Sequence, residues 1–118
     1  MQYPANAIPE EAASALAPAF DRSYVHQAQD WIDRCTQGMA QLWRNGDYWA
    51  ITEIIRGKDG LICHQMASAG AYNDALIDEI EGWAKSIGCQ KTLATVRPGM
   101  ARKRPGYRTK TITQEKEL

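Results

Sequence analysis

The stretch QMASAGAYNDALIDEIEGWAKSIG, Gln65 to Gly88, joins a β-prone run to an amphipathic helical one. A helix N-terminus presents free backbone N–H groups and the positive end of the helix dipole, so such a junction can hold a phosphate. Close approach of backbone to a phosphate favours glycine. This loop has one glycine, Gly70, followed by Tyr72, Asn73 and Asp74. Asn73 or Asp74 can cap the helix with a side-chain oxygen, and an Asp carboxylate there repels a phosphate. The expectation is a self-capped helix start rather than a phosphate loop.

A second chemical signal is charge. The chain carries no formal net charge, but residues 1–90 hold six Lys/Arg against twelve Asp/Glu, and residues 91–118 hold eight against two. Between Arg97 and Lys110 there is no acid. Arg97, Arg102, Lys103, Arg104 and Arg108 are therefore candidates for contact with a partner or a polyanion: ligand phosphates, a nucleic-acid backbone or an acidic protein surface. Aromatic residues that could stack on bases are missing between Arg97 and Gly106, which argues against single-strand binding. Cys35, Cys63, Cys89, His26 and His64 show no metal-ligand spacing. Cys63 and His64 are adjacent in a strand-like run and so face opposite sides, which excludes a Cys–His pair. Both histidines are expected to be partly buried side chains.

The elements that must position these residues can be read from periodicity. Met1 to Ala7 reads as an extended arm, residues 1–7, ahead of a single domain, residues 8–118. Pro9-Glu10-Glu11 marks a helix start whose apolar face is Ile8, Ala12, Ala15, Leu16, Ala19 and Phe20, with Pro18 placed to kink or end it. Ser23 can cap a second helix to about Gln37, with Tyr24, Ala28, Trp31, Ile32 and Cys35 as its stripe and Gly38 as its stop. Met39 to Ala67 reads as a three-strand antiparallel meander. Asn45-Gly46 suits a type I′ turn, and Gly57-Lys58-Asp59-Gly60 makes the second turn. Alternation places Trp43 and Trp49 near each other across the first hairpin, where one on the outer face would be a contact hot spot. A helix with Leu76, Ile77, Ile80, Trp83, Ala84 and Ile87 inward follows and ends at Gly88. Lys91 to Val96 is a strand parallel to the one starting at Leu61. After a basic loop, Tyr107 to Thr113 is β-prone. The architecture is α+β, a central mixed but mostly antiparallel sheet covered by helices.

At 118 residues, 44% hydrophobic and 24% charged, the chain fits one globular domain. It shows no signal peptide and no apolar run able to span a bilayer, so no membrane partner is expected. Odd, dispersed cysteines indicate reduced thiols in a cytosolic setting.

Three segments, MAQLWRNGDYWAITEI, LIDEIEGWAKSIGCQK and GYRTKTITQEKEL, in that order, resemble a family of small tailed-phage proteins with a GNAT (N-acetyltransferase)-like fold. The N-terminal IPEEAASALAPAFDRSYVHQAQDWI fits more loosely, so the likeness covers about residues 8–118. Where that family has GRKGWARxLKxYGY, this chain has VRPGMARKRPGY, with Met100 in place of the Trp. The resemblance implies that Glu53 would be the strand carboxylate acting as general base, and Tyr107 the aromatic that starts the sixth strand or an acid for a departing thiolate. Active GNAT enzymes hold coenzyme A pyrophosphate on an R/Q-x-x-G-x-G/A loop. One register puts its key positions on Ser68, Ala71 and Asn73; another puts them on Gln65, Ser68 and Gly70 with too long a loop before the helix. Neither keeps the motif. The resulting expectation is a non-enzymatic phage protein with a degenerate loop and no cofactor, found in the virion or host cytoplasm. It would act in virion assembly with phage structural proteins or a second copy of itself. The alternative is an active acetyl-CoA-dependent N-acetyltransferase of a host or phage amine, and a third reading is an inhibitor of a host protein.

Overall fold

The computed structural model describes residues 1–21 and 27–118. Ser23, Tyr24 and His26, assigned above to a cap, a helix stripe and a partly buried histidine, lie outside the described residues. The elements run β1 (Gln2–Tyr3), α1 (Ala12–Phe20), α2 (Ala28–Thr36), β2 (Gln41–Asn45), β3 (Tyr48–Gly57), β4 (Gly60–Ala69), α3 (Asp74–Ser86), β5 (Cys89–Ala94) and α4 (Pro98–Ala101), with a 3-10 turn at Ala5–Ala7. The strands lie in chain order in one sheet. Only the β4–β5 pair is parallel; the others are antiparallel. The mixed, mostly antiparallel α+β sheet is thus present.

Each face of the sheet has its own core. Helices α1 and α2 cover one face, packing Leu16, Phe20, Trp31, Ile32 and Cys35 against Leu42, Trp49, Ile51, Ala67 and Ala69. Helix α3 covers the other, packing Leu76, Ile77, Ile80 and Ala84 against Trp43, Tyr48, Ala50 and Cys63. The helical stripes produce this directly, since residues three and four apart share a face. Pro18 neither ends nor precedes the end of α1 by much: the helix runs on to Phe20, where few backbone bonds remain for a proline to remove. On α3, Trp83 packs at the margin, and Ile87 is 42% exposed because the helix ends before it.

Several local expectations change. The first hairpin pairs Asn45 with Tyr48, so its two-residue loop is Gly46-Asp47. Positive φ falls on Gly46 alone, at 62°. That is the type II′ requirement, a glycine in the first central position, and not the type I′ turn. This register sets Trp43 opposite Ala50 and Arg44 opposite Trp49. Trp43 and Trp49 therefore sit on opposite faces and both are buried, so neither is an outer hot spot. Trp43 meets Trp83 edge-on at 5.2 Å, and Trp49 stacks on Tyr3 at 5.9 Å. Inside the sheet, buried Thr52 accepts from Trp43 Nε1 (2.9 Å) and donates to Gln41 Oε1 (2.7 Å), which satisfies its hydroxyl.

Beyond β5, Tyr107 to Leu118 form no strand. The region after β5 is instead tied to the sheet through Arg104 and Tyr107, which both hydrogen-bond to Gln65.

Candidate functional site

Strands β4 and β5 part company in the middle of the sheet. They pair from Leu61↔Cys89 to Gln65↔Ala94, and Thr95 N–H donates to the Gln65 carbonyl at 3.0 Å. Past this rung β4 continues to Ala69 with β3 on one side and, among the described residues, no strand on the other. Two sequence features cause the opening. Met66 is a bulge, since Thr52 pairs with Gln65 and Ile51 pairs with Ala67. A bulge bends and twists its strand. On the other side Pro98, at the first position of α4, ends any chance of extending β5, and Arg97 before it is held extended (φ −68°, ψ 152°). The result is a wedge with unpartnered β4 backbone along one wall.

Two polar clusters flank the apex, one on each face. On the α1/α2 side, His64 Nδ1 lies 2.9 Å from Glu53 Oε2, and His64 Nε2 lies 2.9 Å from Thr95 Oγ1. The His64 and Glu53 side chains are each 23% exposed, so the pair is reachable from solvent. In the tautomer with the proton on Nδ1, that N–H donates to the Glu53 carboxylate and Nε2 keeps its lone pair towards Thr95.

On the α3 side, Gln65 is buried. Its Nε2 donates to Thr92 Oγ1 and to Tyr107 OH, both at 2.9 Å. Tyr107 OH donates to Glu81 Oε2 at 2.6 Å. Gln65 Oε1 accepts from an Arg104 Nη at 2.6 Å. The Arg104 guanidinium lies 4.4 Å from the Tyr107 ring centroid and 5.9 Å from that of Tyr72. Arg104 Nε and Tyr48 OH are buried and have no hydrogen-bond partner among the described residues. The Tyr48 and Tyr72 rings are 5.8 Å apart, so the Tyr48 ring and the Arg104 guanidinium both lie near Tyr72. Burial, and then the hydrogen bond to Glu81, push the Tyr107 phenol up from its ordinary value. Burial and Asp74 push Tyr72 up to about 12.

The sequence candidates fall in different places. Glu53 stands at the apex beside His64. Tyr107 is tied into the buried network. Ser68 lies on the free reach of β4, opposite Ala50. Gly70 has φ 96°, and a Cβ there would meet the Asp47 carbonyl at 1.9 Å. Its glycine serves the close approach to the β2–β3 turn rather than a phosphate. Ala71 is exposed, and Asn73 caps α3 by accepting from Leu76 N–H at 3.2 Å. Arg97, Arg102, Lys103 and Arg108 are exposed, but Arg104 is 4% exposed and leaves the solvated basic set. Ring contacts and the Gln65 acceptor draw it inward.

His64, Thr95, Gln65's network and Tyr72 were not singled out as a site by residue type. For His64 the signal was present: counting back along both strands from the Gly57–Gly60 turn pairs Glu53 with His64. Among the described residues no group of three or more His, Cys, Asp and Glu is placed to hold a metal. Burial lifts the Cys63 thiol to about 11 and raises Cys89 as well, so neither is a ready thiolate nucleophile. No helix among the described residues is long and apolar enough to cross a membrane.

No family model matches the chain, and no curated protein matches it. Solved structures do share its fold. An aminoglycoside acetyltransferase from an uncultured soil metagenomic sample, solved with sisomicin, aligns with a TM-score of 0.66 at 10% identity over 100% of this chain and 94% of its own. A Trypanosoma brucei acetyltransferase aligns at 0.57 with 13% identity over 94% and 96%. An aminoglycoside N-acetyltransferase in complex with CoA aligns at 0.55 with 9% identity over 93% and 91%. The GNAT-like fold is therefore established. The expectation of a non-enzymatic virion-assembly protein is corrected by the same finding: these neighbours are acetyltransferases, and nothing in them points to a phage particle. The expectation of no cofactor finds no support in these neighbours, one of which was solved in complex with CoA.

Proposed function

We propose that the chain is an acetyl-CoA-dependent N-acetyltransferase acting on a primary amine. The observation that supports this best is the wedge: among the described residues β4 offers unpartnered backbone past the Gln65–Ala94 rung, beside a partly exposed His–Glu pair. An extended amide chain such as pantetheine can hydrogen-bond to a vacant strand edge as an added strand does. Residues 66–69 would hold that chain, and acetyl-CoA would supply the acetyl group as an activated thioester.

The chain's own residues then have distinct tasks. A primary amine is protonated at neutral pH and must lose a proton to become a nucleophile. His64 takes that proton at Nε2. Glu53 holds Nδ1–H, fixes the tautomer and stabilises the imidazolium that forms. Thr95 Oγ1 marks where the amine nitrogen would compete for Nε2. The Tyr107 O–H already donates its hydrogen bond to Glu81, so it braces Gln65 rather than protonating a leaving group. Glu53 thus acts through His64 and not alone.

The test is direct. Calorimetry with acetyl-CoA is expected to show saturable binding, and purified protein with acetyl-CoA and a panel of amines, sisomicin among them, is expected to release free thiol. Absence of both binding and acetyl transfer across the panel rejects the reading.

A further inference from the structure

We propose that Arg104, supplied by the segment after α4, makes the α3 side of the wedge an oxyanion-binding subsite that takes a phosphate group of the ligand. The inference rests on the acetyltransferase reading for the ligand's identity, but the subsite is read from Arg104 itself.

Four observations carry it. Arg104 is 4% exposed, yet among the described residues it forms no ion pair with a carboxylate. An uncompensated buried guanidinium is costly, and folding normally supplies it with an anion. Its Nε is buried with no acceptor, so one edge of the fork is unused. The guanidinium is held in place by Gln65 Oε1 at 2.6 Å and by the Tyr107 ring at 4.4 Å, and Gln65 is itself fixed by Thr92 and Tyr107. A pre-positioned donor of this kind loses little freedom on binding. Finally, the Tyr48 hydroxyl is a second buried group with no partner among the described residues, and the Tyr48 ring lies 5.8 Å from that of Tyr72.

The location complements what the loop lacks. Tyr72 belongs to the β4–α3 loop, whose one glycine is committed to the Asp47 contact and whose helix start is capped by Asn73. That loop has little backbone to give an anion. The Arg104 guanidinium, lying between Gln65 at the apex and Tyr72 in the loop, brings a full positive charge to the same wall. Recognition of the phosphate is thereby moved from loop backbone to one arginine side chain.

Calorimetry on the full chain tests this with three probes: coenzyme A, pantetheine, which lacks the phosphates, and inorganic pyrophosphate. For Arg104→Gln the expected result is coenzyme A binding weaker by roughly ten- to a hundredfold with pantetheine binding unchanged. Arg104→Lys keeps the charge, loses the fork and is expected to fall in between. If Arg104→Gln binds coenzyme A as wild type does, or loses pantetheine equally, the subsite is rejected while the acetyltransferase reading stands. If wild type binds neither coenzyme A nor pantetheine, the acetyltransferase reading fails. Pyrophosphate binding lost in Arg104→Gln then still supports the subsite, and no pyrophosphate binding rejects it too. Circular dichroism and thermal melts establish folding. Should Arg104→Gln not fold, Arg104→Lys decides alone, wild-type affinity for coenzyme A overturning the inference.

Discussion

His64 and Gln65 are neighbours in one strand, and they do opposite things. His64 faces the α1/α2 side, partly exposed, with one ring nitrogen anchored on Glu53 and the other at the mouth of the wedge. Gln65 faces the α3 side, buried, with its amide spent on Thr92, Tyr107 and Arg104. Strand alternation alone separates them. The reactive group is left accessible to solvent and a substrate, and the group beneath it is locked into a scaffold that keeps β4, α3 and the C-terminal segment together.

The largest expected effect lies on the accessible side. His64→Ala is expected to lower kcat by about a hundredfold or more, the usual share of a general base, while the melting temperature barely moves. Steady-state kinetics alongside a thermal melt reads both, and an unchanged kcat assigns proton removal elsewhere. Glu53→Gln is expected to lose about tenfold through the same nitrogen, with KM little altered.

The locked side should respond in stability. Gln65→Leu strands Arg104, Thr92 and Tyr107 without their partner, at a cost of about 2 kcal/mol. In a chain of this size that is a melting point lower by roughly 8 °C. If His64→Ala destabilised the protein as much as Gln65→Leu, the contrast between the two faces would be lost.

Alkali sharpens the contrast further. Burial lifts Cys35 and Cys63 to about 11, and burial with Asp74 lifts Tyr72 to about 12. Ordinary values in the unfolded chain are 9.0 for the thiols and 10.0 for the phenol. The folded state therefore holds these protons longer, and its advantage is full below the unfolded values. It is lost as pH rises from about 9 towards 12. Urea melts at about pH 8 and about pH 10.5 are expected to show lower stability at the higher pH, with a shallower fall in Cys63→Ala. An identical slope in the variant removes Cys63 from this effect.

The smallest effect belongs to the exposed cations. Arg102→Ala and Lys103→Ala are expected to change stability by less than about 0.5 kcal/mol, as unengaged surface residues do. A loss of coenzyme A affinity equal to that of Arg104→Gln would show that the basic run acts as a field and not through Arg104's placement.

Much of the fold was legible because its causes are local. Gly57 and Gly60 bracket a turn, so the register that joins Glu53 to His64 follows by counting. Asn73 is a good cap, and it caps. Placing the first turn one residue early changes the cross-strand partners but not the faces. Trp43 and Trp49 lie on opposite faces with either two-residue turn, because side chains alternate with period two and these two residues are never directly opposite. The wedge was less legible: its bulge at Met66 exists only as a mismatch between β3 and β4.

By itself, then, the sequence determined the order of elements from α1 to β5, the apolar stripes of the helices and the pairing across the second turn. Each of these follows from spacing along the chain and from turn chemistry. Only the tertiary structure decided that β5 stops at Ala94 while β4 runs on to Ala69, and that Arg104 leaves a basic run to lie against Gln65 and Tyr107. The reason is physical. Charge patterning describes a residue's neighbours in the chain, whereas burial and hydrogen-bond partners are fixed by segments 39 and 42 residues apart.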